Sequence, residues 1–288
     1  MTSATSRPDA ATSPLGRLSA TGAALLDEGR TDEAADILRH AMAASEPGAD
    51  DLLARAYLDG GDWFAAVDLL RRLVGQGQVR FAGRLGVALA QIGDADEAQK
   101  AFRLALDHGE LAASNDLAIL LARRGRLDEA VPLLERAATA GDPQASSNLV
   151  ELLLESGDLG RATWAAEYYL DEAHPDTLVA LADVRALTRR HDEAEDLYRR
   201  GGELGALRAH SAYGGFLAAR GDAAAAEREL REAGRHEELG WEYALGRFLV
   251  DVGRAAEARP YVAAAAALGD DDAVTLLAEI DGEDPFDD

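Results

Sequence analysis

The chain has 288 residues, a net charge of −24 at pH 7 and no lysine besides Lys100, so nearly all of its positive charge is arginine. A field of that sign disfavours general affinity for DNA, RNA or an anionic membrane surface, and the lack of cysteine excludes disulfides, thiolate zinc sites and cysteine nucleophiles. The hydrophobic fraction of 48% is ordinary, but much of it is alanine, which suits closely packed helices better than a thick core of large side chains.

Residues 1–14 are rich in Ser, Thr, Pro and Ala and carry no apolar period, so a disordered leader is expected there. They lack the basic region and apolar run of a signal peptide. No stretch approaches the ~18 uninterrupted apolar residues of a membrane span. A soluble, cytoplasmic protein is the expectation.

From about residue 15 a single frame recurs, and Gly125-Arg126-Leu127-Asp128-Glu129-Ala130 is its cleanest copy. Its closing alanines, Ala34, Ala66, Ala98, Ala130, Ala162, Ala194, Ala226 and Ala258, are each 32 residues apart. A register unbroken across most of the chain predicts a repeat array in which each unit packs on its neighbours. Each unit reads as two helices. In the fourth, Leu117, Ala118 and Leu121 share one helical stripe. Gly125 stands where that helix should stop, since glycine enters the left-handed region without a Cβ penalty. Asp128 and Glu129 open the second helix, where the macrodipole favours negative charge. Leu133, Leu134 and Ala137 form its apolar stripe, and Gly141 and Pro143 end it.

The other units repeat these stripes. A small-residue row (Gly22, Ala54, Gly86, Ala118, Val150, Ala182, Gly214, Gly246) runs along the first helices. The second-helix alanines are expected to face it across a close helix–helix contact, with Ala98 and Ala130 buried and Gln99 exposed. Unit six departs from the pattern: Arg185 replaces a core leucine and Arg189 the turn glycine. A left-handed non-glycine costs roughly 1 kcal/mol, so a different turn is expected there, with a functional kink as the alternative. Residues 272–280 form one more first-type helix, the capping element of an array, before an acidic tail over 281–288. The expected fold is therefore all-α: a solenoid of helix-turn-helix repeats, about eight 32-residue units spanning 15–280 plus a C-terminal capping helix.

The small residue Gly86, apolar Leu89, then Gly93, Ala98, Phe102 and Ala105 resemble the tetratricopeptide repeat, with a period of 32 here in place of 34. Inter-unit segments such as residues 137–145 resemble the related Sel-one-like repeats. The resemblance covers about residues 15–280 and implies an α-α superhelix whose first helices line a concave groove that receives peptides or partner helices. The large aromatic usual early in the first helix is replaced here, by Asp50 and Ala82 among others.

No reaction chemistry is evident. The six histidines show no helical metal-ligand spacing, no nucleophile elbow occurs, and the lone lysine is outside any phosphate loop. No catalytic residue, cofactor or metal ion is expected. Acidic pairs such as Asp128-Glu129 are explained by helix starts. Carrying groove positions over from the resemblance gives Arg55, Arg80, Arg84, Asn115, Arg123, Asn148, Arg208, Tyr243 and Arg247 as candidate protein-binding residues. Arg80 and Arg84 are four apart, hence expected on one helical face. They match the basic pair of the carboxylate-clamp subfamily, but Ser19, Ala23 and Leu52 stand where that subfamily has Lys or Asn.

The implied function is a non-catalytic scaffold or adaptor binding a protein or peptide segment. That segment is expected to be acidic or to end in a free carboxylate; nucleic acid and membrane are not expected partners. A regulatory or sensor subunit acting on an enzyme or transcription factor is the alternative, and an enzyme with an unrecognised site the third reading.

Overall fold

The computed structural model describes residues 16–282. The leader expected over residues 1–14, and residues 283–288 of the expected acidic tail, lie outside the described residues. Among those described, the regular structure is helical and no strand occurs. The chain divides into two compact units, Met1–Gly125 and Arg126–Asp288. The first holds α1 (Arg17–Asp27), α2 (Thr31–Ala43), α3 (Ala49–Asp59), α4 (Trp63–Gly75), α5 (Ala82–Gln91), α6 (Ala95–Asp107) and α7 (Ala113–Arg123). The second holds α8 (Leu127–Thr139), α9 (Pro143–Glu155), α10 (Leu159–Tyr168), α11 (Asp176–Leu187), α12 (His191–Glu203), α13 (Ala209–Ala219), α14 (Ala223–Arg235), α15 (Trp241–Asp251), α16 (Ala255–Ala267) and α17 (Asp271–Asp281).

First helices end as the frame predicts. Gly93 takes φ 81°, and its N–H donates to Ala90 O (3.1 Å) while Asp94 N–H donates to Leu89 O (2.9 Å). These two bonds close the last turn and satisfy carbonyls that the helix leaves open. Arg189 makes the same turn: its φ is 62°, and the same pair of bonds runs from Arg189 N to Ala186 O and from Arg190 N to Arg185 O. The different turn expected there does not form, because the closing bonds and the packing of α11 on α12 hold the residue left-handed.

Second helices start in two ways. Where the residue before the helix is aspartate, its carboxylate caps the N–H three residues on: Asp62 to Ala65, Asp94 to Glu97, Asp158 to Arg161 and Asp222 to Ala225. Where it is arginine, the guanidinium pairs with a glutamate three residues on: Arg30 with Glu33, Arg126 with Glu129, Arg190 with Glu193 and Arg254 with Glu257. The acid that the dipole argument placed at Glu129 thus also has a specific cation. Asp142 and Asp270 cap α9 and α17 locally, whereas α1 and α13 receive caps from a distance. Glu46 accepts from Leu18 N and Ser19 N at the start of α1, and Glu238 from His210 N and Ser211 N (both 2.9 Å) at the start of α13.

Within each unit first helices pack on their own second helices, as α1 on α2 and α13 on α14, and several also on the next first helix: α1 on α3 and α5 on α7 in one unit, α9 on α11, α11 on α13 and α13 on α15 in the other. Ala98 and Ala130 are fully buried; Gln99 is half-buried rather than exposed. The partner of the small-residue row differs from expectation. A Cβ on Gly86 would stand 2.5 Å from the Phe102 ring, on Gly214 2.6 Å from Leu230 and on Gly246 2.6 Å from Val262; on Gly22 it would collide with Leu38. The glycines therefore make room for a large side chain four residues beyond the alanine. The alanine lies close as well, since the Ala226 carbonyl is 3.3 Å from that Cβ position on Gly214. Side chains on a helix lean toward its N-terminus, which is how the residue one turn later comes to fill the gap.

Candidate protein-binding face

The first helices form a row in each unit, and the expected binding residues sit on or beside that row. In the first unit Arg55, on α3, pairs with Asp59 one turn on (3.1 Å) and with Asp27 of α1 (3.6 Å). Arg80 lies in a short 3-10 turn, Val79–Phe81, and Arg84 in α5. The pair is therefore not presented by one helix, because Gly77, at φ 87°, turns the chain and α5 begins only at Ala82. Both arginines nevertheless converge on α3. Arg80 Nη2 is 3.0 Å from both Asp50 and Asp51 and 3.1 Å from Gln78 Oε1, and Arg84 Nη1 is 3.3 Å from Asp51. Both guanidinium groups lie over the buried Phe81 ring, at 4.7 and 5.7 Å from its centre. Asn115 is buried, so its amide is not offered to a partner. Arg123 is exposed in the last turn of α7, where a cation faces the negative end of the helix dipole.

In the second unit Asn148, on α9, is half-buried and accepts from Gln144 Nε2 (3.4 Å). Arg208 precedes α13 and belongs to a polar cluster whose mutual pairing, and whose Tyr198, sequence reasoning missed. Its Nη2 is 2.7 Å from Asp183 of α11, its Nη1 3.6 Å from Glu151 of α9, and the Tyr198 hydroxyl of α12 donates to Asp183 (2.6 Å). Burial pushes the Asp183 carboxyl and the Tyr198 phenol up from their ordinary values. Burial pulls the Arg208 guanidinium down, but Asp183 and then Glu151 outweigh it and hold it charged. The available signal was Tyr198 in a row otherwise filled by Leu, Phe, Val or Ala, together with Asp183 one residue after the small row. Tyr243 is half-buried on α15, and Arg247 pairs with Asp251 (3.1 Å).

Arg55, Arg80, Arg84, Arg208 and Arg247 each hold a carboxylate. Among the described residues no group of three or more His, Asp or Glu is arranged to hold a metal ion, although the fold stacks two distant histidines, His210 and His236, at 5.0 Å. No helix among the described residues is long and apolar enough to cross a membrane.

A family model described as tetratricopeptide repeat matches residues 52–116, 85–146 and 115–177, and a second of the same description matches 16–40 and 207–232. The chain belongs to the tetratricopeptide repeat family. No curated protein sequence matches it. Among solved structures it is similar to the APC/C hetero-tetramer Cut9-Hcn1, at 14% identity and TM-score 0.56, covering 91% of this chain and 55% of the other. It spans, then, little more than half the length of that protein. It is also similar to a tetratricopeptide repeat protein from Parabacteroides merdae (14% identity, TM-score 0.61, covering 79% of this chain and 95% of that one) and to PilF of Pseudomonas aeruginosa (18%, 0.53, 77% and 99%). These likenesses are of fold. Tetratricopeptide repeats as a family are helical scaffolds for protein–protein interaction, and the fold found here is of that kind.

Proposed function

We propose that this tetratricopeptide repeat chain is a non-catalytic scaffold or adaptor whose first-helix row binds a partner protein through an acidic segment or a free C-terminal carboxylate. The observation that carries this reading is the Arg80–Phe81–Arg84 arrangement. Only Nη2 of Arg80 and Nη1 of Arg84 donate side-chain hydrogen bonds, so Nη1 and Nε of Arg80 and Nη2 and Nε of Arg84 donate none among the described residues. An arginine fork can hold two carboxylates at once. The Phe81 ring fixes both forks in place, which reduces the entropy lost when a ligand binds. Because the arginines are about half exposed (57% and 44%), their bonds to Asp50 and Asp51 are surface pairs of small net value and exchange readily for a ligand.

The test is to capture the partner from native extract and titrate it against wild type, Arg80→Ala/Arg84→Ala and Arg136→Ala. A tenfold or greater loss for the double variant, with unchanged melting temperature and with Arg136→Ala like wild type, supports the reading. Equal affinity for all three proteins rejects it.

A further inference from the structure

The fifth repeat carries a feature found in none of its neighbours. On α10, Trp164 and Tyr168 stack at 4.8 Å with their rings 14° apart, and Tyr169 meets Tyr168 edge-on at 4.9 Å. Trp164 is 55% exposed and Tyr168 67%. At the position of Trp164 the other second helices carry Asp, Lys, Arg or Pro, and at that of Tyr169 they carry Ala, Gly or Leu. An exposed aromatic cluster of this kind marks an interaction surface, since Trp and Tyr dominate binding hot spots.

Two independent features give the sign of what covers it. First, carboxylates flank the rings. Glu167 lies between Trp164 and Tyr168 in sequence, and Asp171 and Glu172 follow the helix; all three are more than half exposed. Each has one side-chain partner: Glu167 has Arg185 (2.7 Å), Asp171 has the His174 ring (3.0 Å) and Glu172 has Arg200. A carboxylate has about four acceptor sites, so capacity remains. Second, α10 ends open. The other seven second helices close with the paired bonds of a left-handed turn, as Gly141 N to Ala138 O and Asp142 N to Ala137 O close α8. The last backbone bond of α10 is the ordinary helical one from Tyr169 N to Ala165 O (2.9 Å), neither of the closing pair follows it, and its last turn contains no basic residue. The reason is local: Ala173 occupies the position of the turn glycine, and Tyr169 replaces a small packing residue, its hydroxyl 3.2 Å from Thr139 Oγ1. The negative end of the helix dipole is left uncompensated, which favours a cation there.

We propose that the exposed face of α10 is a docking platform for an arginine-bearing segment of a partner protein. The guanidinium plane lies on the outer face of Trp164 or Tyr168, and its N–H groups donate to Glu167, Asp171 or Glu172 and to the open carbonyls of α10. Arginine fits better than lysine because only its planar fork both stacks and donates to several acceptors. A second copy of this chain is a poor occupant, since two chains at −24 repel. This site is separate from Arg80 and Arg84, and its partner carries the opposite charge.

The test uses the full chain and synthetic dodecapeptides of common apolar sequence carrying four arginines, four lysines or four citrullines, titrated calorimetrically at physiological salt. Wild type is expected to bind the arginine peptide at least tenfold more tightly than the citrulline peptide and several-fold more tightly than the lysine peptide. Trp164→Ala/Tyr168→Ala should lose at least tenfold with unchanged melting temperature, Trp164→Phe/Tyr168→Phe should lose less than about threefold, and Arg80→Ala/Arg84→Ala should bind like wild type. No binding of the arginine peptide by wild type overturns the proposal. Equal binding by the Trp164→Ala/Tyr168→Ala protein also does so, because attraction would then come from net charge alone. A concentration-dependent dimer in sedimentation, abolished by Trp164→Ala/Tyr168→Ala, would assign the platform to a second copy instead.

Discussion

Arg189 holds φ 62° at a turn where most repeats place glycine, and Ser45 (φ 56°) and Glu237 (φ 53°) do the same at the ends of second helices. The Cβ of an L-residue is crowded in that region, at a cost of roughly 1–2 kcal/mol. The Arg189 side chain is exposed, so a glycine there removes strain and little else. The added freedom of the unfolded chain offsets part of the gain. Arg189→Gly is therefore expected to stabilise the protein by about 0.5–1 kcal/mol, read as a higher urea midpoint at unchanged slope. A lower midpoint would mean that Arg189 makes a contribution its backbone angle does not reveal. Sequence alone marked this position as odd but not its conformation, because the turn is decided by the helices on either side of it. Arg185 is a similar case. The register exposed an arginine in a leucine row, but its partners, Glu167 of α10 at 2.7 Å and Glu193 of α12 at 3.5 Å, lie on other helices. Pairing across helices leaves no spacing to read.

Among elements, the 32-residue register was sufficient to place the helix pairs, their turns and the capping helix α17, because each rests on local chemistry: a glycine, a cap, a stripe. It was insufficient for the contact between helices, where alanine was matched to the small row and a larger residue was found. Gly22 faces Leu38 and Gly86 faces Phe102, while in the fifth repeat the order of sizes is reversed, with Val150 on the first helix and Ala166 on the second. Position and partner therefore trade volume at constant packing, as close-packed interiors require. Gly86→Val should destabilise by ~1–3 kcal/mol through overpacking against Phe102. Adding Phe102→Ala should recover part of that loss, so the double variant is more stable than the sum of the two single changes predicts. Additive melting shifts would show that the two residues do not share a contact. The candidate face was half legible for the same reason: the resemblance located Arg80 and Arg84, whereas the 3-10 turn beneath Arg80 and the acids from α3 are products of packing.

For the whole molecule, charge sets a contest between two effects. The chain carries −24 at pH 7, and self-repulsion destabilises a compact state. Against it stand the ion pairs, in which Arg254, Arg30 and Arg259 hold Glu227, Glu257, Glu33 and Asp281 below the usual carboxylate range. Salt screens both. The pairs are exposed and individually weak, whereas the repulsion sums over the whole excess of acid. The melting temperature at pH 7 should therefore rise as sodium chloride goes from 20 to 300 mM, and the rise should vanish near the isoelectric point, about pH 4.5. Those carboxylates have lower pKa values folded than unfolded, so their stabilisation is complete above the unfolded carboxylate value, about 4, and is lost as pH falls through the folded values. Asp183, raised by burial, runs the other way: it favours the folded state when protonated, and that contribution is lost as pH rises through its folded value. The expected profile is a stability maximum near pH 5, with a slow decline toward neutral pH that salt relieves and a steep loss below about pH 4 that salt does not. A melting temperature that falls with added salt at pH 7 would show instead that the ion pairs outweigh the net charge, and the weak exchangeable pairing assumed for Arg80 and Arg84 would fall with it.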